Sequence, residues 1–295
     1  MDRGEFGWLE VLLGRRIVAV APTESGFRSR SDLMSLADGR RALLRRHHRR
    51  ADIRRHDWIV AALRARAAGK GIAMPRIIRS GPEADPSWIV FDALPGVPLA
   101  GELDSPRFPV LAWEMGALLA DLAELPCADL KLDETWTRPR FVAARADAWA
   151  ECLLPTLGAA QYGELQAVLG ELPELFEGRP AVLAHGDFVP GNILADGERL
   201  GGILDFDEVR LADPLFDVAT WAWSVSFARA ESFAAAWPAF LDGAGIDPAE
   251  PGLLPRIRTL QVVRMMEMLA EHDLGPDRWR IVHSRLVRTL GWVAA

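Results

Sequence analysis

The segment His185-Gly186-Asp187-Phe188-Val189-Pro190-Gly191-Asn192 contains the pattern Asp-x4-Asn, and Asp205 follows thirteen positions after the asparagine. A loop carboxylate can accept or orient the proton of an attacking hydroxyl. A carboxamide and a second carboxylate are hard oxygen ligands of the kind magnesium prefers, and phosphoryl transfer makes both demands. Between them, Asn192-Ile193-Leu194-Ala195, then Asp196-Gly197, then Leu200–Phe206 reads as a β-hairpin. Such a hairpin returns the chain so that Asn192 and Asp205 stand side by side, with Asp187 facing the acceptor. The alternative for each aspartate is a loop-capping carboxylate, which the joint spacing of all three disfavours.

The elements that must position these groups change character along the chain. The first hundred residues read as strands around one helix: Arg16–Glu24, then Asp32–Ala37 and Arg40–His47 joined by a turn at Asp38-Gly39, then a helix over Ala51–Ala68. Pro75–Ser80 and Ser87–Phe91 are further strands, and Leu94-Pro95-Gly96-Val97-Pro98 breaks regular structure. Beyond it the pattern is mostly helical: Arg107–Leu125, Arg138–Leu154, Gln161–Phe176, Phe216–Ala228, Ser232–Leu241, Leu253–Glu271 and Arg278–Val293. The expected organisation is an α+β protein of two lobes, residues 1–95 small and β-rich, residues 96–295 larger and helical.

Three spaced segments resemble one family. His-Gly-Asp-x4-Asn followed by Ile203-Leu204-Asp205-Phe206 is similar to the aminoglycoside phosphotransferase and choline kinase-like family, which has a bilobal protein-kinase-like fold. Asp213-Pro214-Leu215-Phe216-Asp217-Val218-Ala219 and Ile89-Val90-Phe91-Asp92-Ala93-Leu94-Pro95-Gly96 match further segments in the right order. The resemblance implies that Asp187 is the catalytic base or hydroxyl-orienting residue and that Asn192 and Asp205 hold Mg2+. It implies that His185 braces the catalytic loop, and that the Asp92 carbonyl and Leu94 amide meet the purine of ATP or GTP. It places Arg45 where the family's phosphate-gripping lysine stands. The chain has only two lysines, Lys70 and Lys131; an arginine can serve because its planar fork bridges phosphate oxygens.

Some positions depart from the pattern. No glutamate follows to pair with Arg45; Asp57 lies nearest the expected place, with Asp52 before it. The phosphate loop Ser25–Ser31 is not a clean glycine-rich motif and would bind through backbone amides and hydroxyls such as Ser29 and Ser31. Asp207 replaces a glycine and either orients Asp205 or bonds within the turn. A metallophosphoesterase would need more histidine ligands than His47, His48, His56, His272 and His283 provide in any motif. A protein kinase is disfavoured because Asp213-Pro214 arrives only eight residues after Asp205.

Charge separates the two parts. Residues 1–100 carry 18 basic and 11 acidic side chains, residues 101–295 carry 16 and 30. The acidic part favours a cationic acceptor, an aminoglycoside or basic peptide antibiotic, with Glu208, Asp213, Glu267 and Glu271 as candidate contacts and Trp221, Trp223 and Trp279 as candidate walls. A metabolite kinase acting on choline, homoserine, a sugar or a nucleoside is the alternative, and a nucleotide-binding pseudokinase a remoter one. Eight arginines between Arg40 and Arg55 lack the interleaved aromatics of a nucleic-acid surface. Two cysteines, Cys127 and Cys152, read as buried thiols of a cytoplasmic protein, the N-terminus is acidic rather than signal-like, and no apolar run is long enough to span a membrane.

Overall fold

The computed structural model describes residues 3–23, 29–47, 53–84, 86–197, 199–272 and 274–291. The chain divides into two compact units, Met1–Gly96 with Gly201–Leu204, and Val97–Leu200 with Asp205–Ala295.

In the first unit, α1 (Arg3–Leu13) precedes β1 (Ile17–Pro22), β2 (Ser29–Leu36) and β3 (Arg41–His47); α2 (Ile53–Ala67), β4 (Ile77–Gly81) and β5 (Trp88–Asp92) follow. The sheet order is β1-β2-β3-β5-β4, antiparallel throughout. The turn at Asp38-Gly39 forms as expected, with Gly39 at φ +84°. Strand alternation explains how both sheet faces are covered. Ala42 and Leu44 of β3 join Phe6 and Leu9 of α1 in one cluster, while Leu43 packs with Ile53, Ile89 and Phe91 in another. The first helix was not anticipated: its helical signal is Phe6, Leu9 and Leu13, diluted by glycines and charges. Most of the loop Ser25–Ser31, and Asp52, lie outside the described residues.

The second unit begins with β6 (Val97–Pro98), α3 (Phe108–Ala123), α4 (Pro139–Leu153) and α5 (Ala159–Phe176). Then come β7 (Val182–Ala184), β8 (Ile193–Asp196), β9 (Arg199–Ile203, whose last residues count with the first unit) and β10 (Arg210–Ala212), followed by α6 (Phe216–Ala228), α7 (Ala230–Gly243), α8 (Leu253–Glu271) and α9 (Gly275–Leu290). Trp221 is fully buried in this core, stacked 4.0 Å from Phe240 between α6 and α7. The hairpin β8–β9 forms where the sequence places it. A second small sheet, β7 paired antiparallel with β10 with Arg210 opposite Ala184, was not foreseen. Cys127 is half-buried but Cys152 is exposed, which corrects the expectation of two buried thiols. Among the described residues no helix is long and apolar enough to cross a membrane.

Candidate active site

The β7–β10 pair holds both chemically loaded segments, because the Asp187 loop leaves the end of β7 and the Asp205 turn runs into β10. Their close approach depends on Gly186, whose φ is +86°; a Cβ there would lie 2.0 Å from the Glu208 carbonyl oxygen. The loop is pinned from beneath by Asp217, which in the sequence stands only as part of the run Asp213–Ala219. The buried Asp217 carboxylate, in the first turn of α6, accepts the backbone N–H of His185 at 2.6 Å and of Gly186 at 3.0 Å. Burial pushes the Asp217 carboxyl above its ordinary value, while the facing His185 and the two amides pull it back. A carboxylate at a helix start directly after the loop and strand was the available signal.

His185 is fully buried. Its Nδ1 accepts the Asp187 amide at 3.3 Å, and its ring meets Phe206 edge-on at 4.8 Å. Asn192 folds back on the loop: its Nδ2 donates to the Asp187 carbonyl and to Asp187 Oδ2, each at 2.9 Å. Those two bonds use the amide nitrogen and leave the Asn192 Oδ1 out of them. Asp205 adopts φ +62°, the one positive-φ non-glycine among the described residues. Aspartate tolerates that region better than most residues, and strained backbone of this kind concentrates at functional sites. Burial, and next the Asp205 charge, push the Asp187 carboxyl up to about 6, against the pull of His185, Arg264 and the Asn192 bond.

Asp205 and Asn192 form no complete cage; among the described residues no cluster of three or more His, Cys, Asp or Glu side chains could hold a metal. One carboxylate and one amide oxygen fit a small divalent cation that keeps waters and shares phosphate oxygens, as magnesium does. Asp207 is half-buried in the turn after Asp205.

The candidate acceptor carboxylates are all tied to the chain's own guanidiniums. Arg210 donates to Glu208 at 2.6 Å and to Glu267 at 3.2 Å, and Arg264 pairs with Glu267 and reaches Glu208 at 3.4 Å. Burial alone would raise the Glu267 carboxyl, but Arg264 and Arg210 outweigh it and hold it at about 2. Asp213 pairs with Arg179 and accepts the Leu215 amide at 2.8 Å. Glu271 receives Arg145 and, at 3.0 Å, the Trp149 indole. Of the candidate walls besides Trp221, Trp223 lies under Arg285 and Trp279 stacks on His283.

In the first unit, Arg45 is buried on β3 opposite the buried Ser31. Ser29 stands at the start of β2, opposite His47. Asp57 does not form the expected ion pair with Arg45: one oxygen accepts the Ser80 hydroxyl, and His56 lies at 3.9 Å. The Asp92 carboxylate is held by Arg76, and the Leu94 carbonyl accepts Arg41 at 3.3 Å.

Comparison with known proteins bears on this geometry. The chain is 33 % identical over 156 residues to an aminoglycoside 3'-phosphotransferase of Streptomyces fradiae, covering 50 % of this chain and 57 % of that relative's length. It is 31 % identical over 151 residues to a viomycin phosphotransferase of Streptomyces vinaceus, covering 46 % of this chain and 49 % of that one. The chain therefore spans only about half the length of these relatives in the matched stretches. Its fold is that of APH(2")-IIIa solved with GDP and kanamycin, at a TM-score of 0.76 and 15 % identity over 98 % of this chain and 99 % of that one. Residues 20–254 match the model of the phosphotransferase enzyme family, and the chain belongs to that family.

Proposed function

We propose that this protein is an ATP- or GTP-dependent O-phosphotransferase that modifies a hydroxyl of a small molecule, a cationic antibiotic of the aminoglycoside or basic peptide type, and so confers resistance. The observation that carries the reading is the loop geometry, with Asp187 Oδ2 and carbonyl both bonded by Asn192 Nδ2 at 2.9 Å above backbone amides held by Asp217. In the reaction, Asp187 orients the acceptor hydroxyl and takes its proton as the oxygen bonds to the γ-phosphorus and the nucleoside diphosphate leaves. Asn192 Oδ1 and the Asp205 carboxylate would hold magnesium, which when bound neutralises phosphate charge. His185 and Asp217 keep the loop in register. Arg45, the amides and hydroxyls around Ser29 and Ser31, the Asp92 carbonyl and the Leu94 amide would serve the nucleotide. Family membership and the antibiotic-modifying relatives support the acceptor class. The internal pairing of Glu208, Asp213, Glu267 and Glu271 favours a second reading, a small neutral alcohol as acceptor.

The test is Asp187→Ala assayed by nucleoside diphosphate release against a panel of aminoglycosides, basic peptide antibiotics and simple alcohols. The substitution should lower kcat by about 10²–10⁴ and leave nucleotide affinity within a few-fold. Retention of more than about a tenth of kcat would refute the role of Asp187. A best acceptor that is neutral would move the protein to the second reading.

A further inference from the structure

The second unit holds a cavity of about 480 Å³ that no residue of the Asp187 loop or the Asp205 turn lines. Small-molecule sites run from about 300 to 1,000 Å³. Its walls come from the C-terminal half of α6, from α7, from the first half of α8 and from the last turns of α9. Phe227, Phe233 and Trp237 give it aromatic walls, its charged lining groups are Arg258 and Arg288, and among the described residues no acidic side chain lines it.

The two arginines differ. Arg258 donates to the carbonyls of Thr289 at 3.3 Å and Leu290 at 2.8 Å, closing the end of α9. Arg288 is exposed and lies 4.8 Å from the Phe227 ring centroid. Arg285, one turn earlier on α9, lies 5.3 Å from the same ring and 4.9 Å from Trp223. Neither Arg285 nor Arg288 forms an ion pair with a carboxylate among the described residues. By contrast Arg179, Arg210, Arg256, Arg258 and Arg264 of this unit each have a carboxylate partner, Glu164 in the case of Arg258. Burial and the neighbouring Arg288 charge push the Arg285 guanidinium below its ordinary value. The Trp223 indole N–H beside it is buried without a hydrogen-bond partner.

Two like charges on the Phe227 ring, Arg288 lining the cavity and Arg285 one turn behind it, are complementary to an anion carried on an apolar body. We propose that this cavity binds an organic anion with an aromatic or alicyclic body. The body packs against Phe233 and Trp237, and the sulfonate, carboxylate or phosphate head group meets Arg288 with Arg285 behind it. Such a ligand removes the guanidinium repulsion and buries the aromatic walls together. The site is independent of the chemistry at Asp187.

The test titrates 8-anilino-1-naphthalenesulfonate into the full chain at pH 7, following its fluorescence and energy transfer from tryptophan. Saturable one-to-one binding is expected. Arg288→Ala and Arg285→Ala should each weaken it about tenfold, the loss of roughly one charge-assisted contact. Arg285→Lys, which keeps the charge, should lose less, and Ala222→Trp, which fills the cavity, should abolish saturable binding. Neutral 1-naphthol should displace the probe poorly. Because Arg288 is exposed, its substitution tests the idea without threatening the fold. Unchanged affinity in the arginine variants, undiminished binding to Ala222→Trp, or equal competition by 1-naphthol would overturn the proposal. Asp187→Ala should bind the probe as the parent chain does; loss of binding there would assign the probe to the catalytic loop instead.

Discussion

Removing the carboxylate beneath the Asp187 loop should damage the proposed chemistry more than the fold. Asp217 accepts two buried backbone N–H groups, at 2.6 and 3.0 Å, from the residues immediately before Asp187. In Asp217→Asn one oxygen remains to accept one amide, while the new NH2 faces the other donor. One buried N–H is then unsatisfied, a loss of about 1–3 kcal/mol. Asp217→Ala leaves both unsatisfied, about 2–6 kcal/mol. The strain is relieved most easily by moving the His185-Gly186 backbone, which carries Asp187 with it. Gly186 already sits against the Glu208 carbonyl, so the loop has no room to move inward. A displacement of about 1 Å at a reacting group costs about 10²-fold. The assay pairs kcat with nucleotide affinity and thermal unfolding. Asp217→Asn should lower kcat by about 10²-fold with nucleotide affinity within threefold, and Asp217→Ala should add a marked fall in Tm. If Asp217→Asn keeps kcat within about threefold, the two hydrogen bonds do not position Asp187 and the reasoning fails.

Two further predictions concern charge at the same site. Asn192→Ala and Asp205→Ala should each raise the magnesium concentration needed for half-maximal activity, Asp205 more because it brings formal charge to the cation; an unshifted requirement in both would remove them as ligands. Glu267, held at about 2 against an ordinary 4.5, contributes stability that is present above pH 4.5 and lost as pH falls through about 2. That contribution is about 3 kcal/mol, so Glu267→Gln should be less stable at pH 7 and should approach the parent chain near pH 2 in denaturant titrations. A gap that stays constant with pH would show that the Arg210 and Arg264 pairing is not its source.

The proximity of Asp187, Asn192 and Asp205 was legible in the sequence because they lie on one short loop and one hairpin, where spacing in the chain translates into spacing in the molecule. The helices α6 and α8 have the bounds the apolar pattern suggested, since each buries most of its circumference. The pair β7–β10 was invisible because three-residue strands carry no period. The first helix was hidden because the residues it packs on the sheet, Phe6, Leu9, Leu12 and Leu13, are interrupted by Gly4, Gly7 and charged side chains. Ion pairing was beyond reach for another reason: Glu267 meets Arg210 from 57 positions away and Glu271 meets Arg145 from 126, so a count of carboxylates says nothing about which are already neutralised. Asp57 shows the same limit, being engaged by Ser80 on β4 rather than by the arginine the pattern assigned it.

That distinction decides how a cationic acceptor would be drawn in. The 30 acidic side chains after residue 100 outnumber the basic ones by 14, yet the four carboxylates nearest in type and position to a contact role are satisfied internally. Attraction must then come from the summed field of the acidic surface, which acts on encounter and not on a particular contact. A field of that kind is screened as the Debye length shrinks from about 30 Å at 0.01 M salt to about 8 Å at 0.15 M. For a cationic acceptor, kcat/KM should fall several-fold, up to about tenfold, across that range, with kcat nearly constant. Glu271→Gln removes one charge from the field and releases Arg145, so KM should change by less than about twofold. A KM rise of about tenfold or more in that variant would mean that Glu271 leaves Arg145 to hold the acceptor directly. If kcat/KM ignores salt while the acceptor is a polycation, the acidic excess serves the surface alone, and recognition must be sought in hydrogen bonds and apolar contact.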